Sequence, residues 1–256
     1  MNKKKFYESH KNFSHRSLLD YYISPGIRCK FDILKNKISN NTKFNNGIDL
    51  GSSGNSFLLF MTNLHHKSFF DLANFPLRLY KSKTFYYPVC GDLTYLPYRA
   101  NSFDFVSALD VLEHIKNDKI AISEMSRILK PGGLAIITVP HRMKFYSNQD
   151  RLIGHFRRYE ITRIVDIMRK YDLKRINTFG VYGRLMKISD IQSADPEKVE
   201  ESLLKLRSRY HSNLFFRAVW EIFVRISSKI MKFDANNCPI GKIMNIGFIF
   251  KKELPD

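Results

Sequence analysis

Residues 45–60 read NNGIDLGSSGNSFLLF. A β-prone apolar run closes on Asp49-Leu50, the small residues Gly51-Ser52-Ser53-Gly54 follow, and the chain then turns into an apolar run of helical character. Only 12 glycines occur in 256 residues, yet two of them bracket this serine pair. Small residues let a backbone turn sharply and approach a ligand closely, and a helix starting behind them presents free N–H groups. The stretch therefore predicts a strand, loop and helix of nucleotide-binding shape. An ordinary tight turn with a serine cap fits the same letters.

Working outward, Asp71 closes the next strand signal, 20 residues after Gly51 (71 − 51). A nucleotide-binding sheet places there the carboxylate that accepts hydrogen bonds from ribose hydroxyls. Asp92 closes the third strand signal in the same way, so Asp49, Asp71 and Asp92 are expected along one edge of a sheet. "NGIDL", "SFFDL", "YYPVCGD", "SFDFVSAL" and "GLAIITVP" read as strands, each apolar, β-branched or aromatic and bounded by turn residues. A helix is expected over "NDKIAISEMSRIL", stopped by Lys130-Pro131-Gly132-Gly133. Another is expected around "ITRIVDIMRKYD", followed by strands near "KRINTFGVYG" and "NIGFIFKKE". This alternation predicts an α/β fold, a doubly wound, mostly parallel sheet with helices on both faces. Residues 1–43 read as a helical extension and 44–256 as the main domain. Within it, 184–240 is too long for an ordinary connection and reads as a helical insertion.

Composition narrows the partners. With 44% hydrophobic residues the chain can bury a sizeable core, and a net charge of +18 favours nucleic acid, an anionic membrane surface or an acidic substrate. Cys29, Cys90 and Cys238 form no metal-ligand spacing, so no metal is expected and a reducing compartment is. The basic start lacks an apolar segment behind it, and no run of roughly 18 apolar residues occurs. A cytoplasmic location is expected, with peripheral membrane contact open.

"IDLGSSGNSF", "GDLTYLPYRANSFDFVSALDVLEHI" and "EMSRILKPGGLAIITVP" together resemble the class I S-adenosylmethionine-dependent methyltransferases, particularly those acting on small molecules and lipid-like acceptors. The likeness spans about residues 45–182. It implies a Rossmann-like seven-stranded sheet with an antiparallel last strand, "NIGFIFKKE", and S-adenosyl-L-methionine as cofactor. By the same resemblance, Gly51, Ser53 and Gly54 pack against the amino-acid part of the cofactor and Asp49 lies beneath their loop. Asp71 holds the ribose, Asp92 and Leu93 meet the adenine, and Asp110 faces the methionyl group. The family's D-x-G-x-G-x-G is altered here, with Ser53 and Asn55 at the second and third glycine positions.

Methyl transfer from a sulfonium needs positioning more than chemistry from the protein. The segment "PHRMKFYSNQDRLIGHFRRYE" resembles a "GH.RRY" core of the same group. His141 and His155 are thus candidate bases, and Arg157, Arg158 and Tyr159 candidate acceptor contacts. His155 and the arginines could equally pin the loop to carboxylates. Residues 141–170 hold eight Lys or Arg against three Asp or Glu, a net of +5, and 202–232 hold seven against one, a net of +6. In "NLFFRAVWEIFVRISSKIMKF", Arg217, Glu221, Arg225 and Lys229 form one polar stripe on an otherwise apolar helix. Such a helix suits a membrane interface, or a lid whose polar stripe faces water. The competing functions are an RNA methyltransferase, motivated by charge, and a catalytically silent binding protein, motivated by Ser53 and Asn55.

Overall fold

The computed structural model describes residues 3–9, 16–38, 41–81, 83–186 and 196–254. Part of the expected insertion, 187–195, and part of the expected extension therefore lie outside the described residues. Seven strands, β1 (Phe44–Leu50), β2 (Leu64–Asp71), β3 (Tyr86–Cys90), β4 (Phe103–Leu109), β5 (Leu129–Pro140), β6 (Leu173–Tyr182) and β7 (Asn245–Lys252), form one sheet. Their order is β3-β2-β1-β4-β5-β7-β6, and β7 alone runs antiparallel to its neighbours. This is the Rossmann-like sheet expected from the alternation and from the resemblance.

Both faces of the sheet are buried, and neighbouring residues show it. Val106 and Ile137 join one core with Ala121, Met125 and Ile164, whereas Phe105 and Ile136 join a second with Phe31, Leu34 and Phe57. Successive strand residues point to opposite faces, so continuous apolar runs such as "LAIITV" suit strands covered on both sides. The first core is closed by helices α5 (Asp118–Ile128) and α7 (Ile161–Arg169), the second by α3 (Pro25–Lys37). Helix α3 starts where Ser24 Oγ accepts from the Ile27 amide and Pro25 supplies a pre-set first residue. Ahead of it lie α1 (Lys3–Ser9) and α2 (Leu19–Ile23); α4 (Asn74–Leu77) and α6 (Asn148–Leu152) are single turns in loops. Helices α8 (Pro196–Ser212) and α9 (Leu214–Asn237) precede β7, and α9 packs on α3 and β6.

Two local expectations are corrected. The helix expected behind Gly54 is one 3-10 turn, Phe57–Phe60: β2 begins at Leu64, which leaves room for a single turn, capped by Ser56 Oγ. Lys130 to Gly133 do not stop the chain in a turn; α5 ends at Ile128 and extended backbone begins at once, with a register shift where β5 pairs β4 between Phe103 and Phe105. Helix α9 keeps three of its four stripe residues, Arg217, Arg225 and Lys229, exposed, as a lid or an interfacial helix would. Glu221 is bound by Tyr210 of α8 and by Arg217 and Arg225, while the apolar side faces outward.

Candidate functional site

The strand order reverses between β1 and β4, and in an open α/β sheet the crevice outside their carboxyl ends is where ligands bind. Gly51 leaves β1 with φ +74°, and a Cβ there would strike the Val111 side chain, so the turn requires glycine. Ser53 is left-handed as well, at φ +47°. Its amide donates to Asp71 Oδ2 at 2.9 Å, and Asp71 Oδ1 accepts from the Ala73 amide at 2.9 Å. The carboxylate at the end of β2 thus organises the loop after β1. Burial raises the Asp71 pKa, and those two amides oppose the shift.

A cavity of about 310 Å³ fills this crevice. Gly51, Ser53, Asp71, Asp92, Leu93 and Asp110 line it, six of the eight residues expected at a cofactor. Asp92 Oδ1 accepts from the amide and hydroxyl of Thr94 at 2.8 and 2.7 Å. Asp110, left-handed at φ +56°, accepts from Lys30 Nζ at 2.8 Å, Thr138 Oγ1 at 2.8 Å and Asn245 Nδ2 at 2.7 Å. Burial pushes its pKa up, but the Lys30 ammonium and the other donors outweigh burial and hold it at about 2. Asp49 and Gly54 lie outside the lining. Asp49 is buried under the loop, accepting from Ser56 Oγ and Ser107 Oγ at 2.5 Å each, and burial raises it to about 6 despite those hydroxyls. Gly54 packs against the Arg16 carbonyl, which a Cβ would overlap.

None of the five residues expected at the acceptor lines this cavity. His141 is buried with Nδ1 3.2 Å from the Ile243 carbonyl. His155 Nδ1 lies 2.7 Å from Asp150 Oδ1, and Arg158 holds the same carboxylate through Nε and Nη2. Arg157 pairs with Asp118 at 2.6 Å and donates to the Lys116 carbonyl. Tyr159 is fully buried, its hydroxyl reaching Asp118 Oδ2 at 2.8 Å. Arg158 and Tyr159 are buried and hydrogen-bonded within the protein, the arrangement expected if they pin the loop. Residues missed by sequence reading also reach the cavity. Tyr7 and Arg16 line it from before the sheet, His114 lines it from the turn after β4, and Lys30 reaches in through Asp110. For Tyr7, Arg16 and Lys30, distance along the chain left no local signal, whereas His114 lies in the same short segment as Asp110.

Residues 48–137 match the methyltransferase domain family model. The chain carries a class I S-adenosylmethionine-dependent methyltransferase domain. A Mycolicibacterium smegmatis protein named "Probable S-adenosylmethionine-dependent methyltransferase" is 28% identical over 94 residues, 36% of this chain and 37% of that one. A demethylmenaquinone methyltransferase of Staphylococcus aureus is 42% identical over 48 residues, 19% of this chain and 20% of that one. The matches thus span well under half the length of these curated relatives. Phosphoethanolamine N-methyltransferase 2 of Haemonchus contortus, solved with S-adenosyl-L-methionine, superposes with TM-score 0.64 at 17% identity, over 99% of this chain and 60% of that one. The methyltransferase cofactor, S-adenosyl-L-methionine, fits the crevice on chemical grounds. Its ribose diol and exocyclic amine are donors and its sulfonium a cation, and the wall offers the carboxylates of Asp71, Asp92 and Asp110 with apolar Leu72, Leu93 and Ile115.

Proposed function

We propose that this protein is an S-adenosylmethionine-dependent methyltransferase whose acceptor is lipid-like and is met at an anionic membrane surface. The cofactor supplies an electrophilic methyl group on a good leaving group, so the protein's part is to hold two reactants in line and keep water out. Asp71 binds the ribose hydroxyls, Asp92 and Leu93 the adenine, and the backbone from Gly51 to Ser53 the amino-acid end. Asp49 supports that loop from below, and Asp110, fixed by Lys30, borders the methionyl end.

The observation that carries the acceptor class is the outer side of α9. Phe215, Val219, Ile222, Ile226, Ile230 and Phe233 recur at steps of three or four residues and are all exposed, Phe215 by 80% and Phe233 by 71%. Arg217, Arg225 and Lys229 are exposed on the same helix. Trp220 is turned inward instead, donating to the Ile23 carbonyl at 3.1 Å. An apolar stripe of this length with basic neighbours is the pattern of an interfacial helix. Among the described residues no helix is long and apolar enough to cross a membrane. Co-sedimentation with vesicles of anionic phospholipid at low salt should pellet the protein, and Ile222→Asp should abolish this. A protein that stays in the supernatant defeats the membrane reading, and a dimer in sedimentation equilibrium would reassign the stripe to a second copy.

A further inference from the structure

Three metal-capable side chains converge beside the crevice. Glu113 and His114 belong to the 3-10 turn Leu112–His114 after β4, and His155 to the loop after α6. One donor atom of each lies within 4.8 Å of the other two. Glu113 is fully buried. Its own backbone amide aside, neither carboxylate oxygen has a hydrogen-bond partner among the described residues. A buried ionised carboxylate without a partner is costly, so either a proton or a cation must relieve it. A proton removes the charge but leaves an O–H and a carbonyl oxygen unmatched. The facing His155 Nε2 stands 3.8 Å from Oε1, too far for a hydrogen bond. A cation would occupy both the charge and the lone pairs.

We propose that Glu113, His114 and His155 bind a divalent first-row transition metal of the zinc type. Two imidazoles and one carboxylate are a sufficient protein ligand set for such an ion. Donors each about 2.0–2.1 Å from one ion can stand up to about 4.2 Å apart. The His155 and Glu113 atoms already meet that limit, and the His114 donor atom lies within 4.8 Å of both. The tautomer of His155 is right as well. Asp150 already accepts from the Arg158 guanidinium and the Ser147 amide and lies 2.7 Å from Nδ1 of His155, so Nδ1 carries the proton and Nε2 offers its lone pair toward Glu113. A carboxylate behind a ligating histidine is the usual outer support of a metal site. His114 is also part of the cavity wall. The ion would tie the loop after β4 to the loop after β5, with a coordination position open to an acceptor oxygen beside His114.

The test needs neither cofactor nor acceptor, so it stands apart from the methyltransferase reading. The full chain, stripped with a chelator, is titrated with Zn²⁺ and with Co²⁺. One equivalent should bind, Co²⁺ should give the intense visible bands of a low-coordinate site, and the melting temperature should rise. Glu113→Gln keeps the side chain's shape and removes a buried charge, so it should fold, with a metal-free melting temperature no lower than the parent's. It should lose metal affinity by at least about 100-fold, and Asp150→Asn by about 10–100-fold. Absence of binding to the parent chain, or equal binding by parent and Glu113→Gln, overturns the proposal. So does an infrared carboxylic-acid band that vanishes in Glu113→Gln but persists in the parent chain at saturating Zn²⁺.

Discussion

Two regions rich in charged residues, the ends of β1 to β3 and the loop after β5, are differently arranged in space. At the β1–β2–β3 side, Asp71 and Asp92 each accept from nearby backbone amides and still face the cavity. In the loop after β5, Asp150, His155 and Arg158 are turned toward one another, and Arg157 and Tyr159 toward Asp118, away from the cavity. The first set keeps lone pairs toward the cavity, whereas the second is tied up within the protein except for the far nitrogen of His155. A charged side chain serves a site when its local partners leave lone pairs toward the opening, and a local amide does that where a bidentate guanidinium does not.

The contrast breaks or sharpens under substitution. The largest effect is expected at Arg158→Ala, which leaves Asp150 nearly buried with its chief cation gone; denaturant unfolding should show a loss of about 3–5 kcal/mol. Cofactor affinity of the folded fraction should hardly change. Asp71→Ala should do the reverse. It removes charge-assisted hydrogen bonds worth about 1.5–3 kcal/mol each, so calorimetry should record at least a tenfold weaker Kd for S-adenosylmethionine. Unchanged affinity there would move the ribose elsewhere.

The smallest effect is expected at Lys30→Met. Asp110 keeps Thr138 and Asn245 and is about a quarter exposed, so the loss should be about 1 kcal/mol at neutral pH. Because Asp110 is depressed from 3.8 to about 2, its contribution is complete above pH 3.8 and disappears as pH falls through about 2. The gap between parent and variant stability curves should close over that window. A gap that persists in acid would assign the loss to packing of the lysine stem instead.

Much of the sheet and half of the crevice could be read directly from local letters. Gly51, Asp71 and Asp92 are set by the strands that end on them, and a strand end is a local event. The length of the segment after Gly54 was misjudged because "FLLF" suits one helical turn as well as several. Lys30 and Tyr7 escaped notice because their meaning lies in Asp110 and His114, far along the chain. The stripe of α9 was visible as periodicity, but periodicity does not say which side meets the protein. That is decided by long-range contacts, such as Trp220 donating to the Ile23 carbonyl, with Val224 and Ser228 buried beside it. Glu113 carries no local sign of its burial, and only the folded arrangement shows it enclosed beside two histidines.

Tyr7 and Arg16 close over the crevice from a part of the chain that contributes nothing to the sheet, and Gly54 is bare enough to let the Arg16 carbonyl rest on it. A fragment beginning at Phe44 would retain every strand and yet be roofless. Shelter of the cavity from solvent is thus delegated to the opening residues, and trimming them would strip the enclosure while sparing the scaffold.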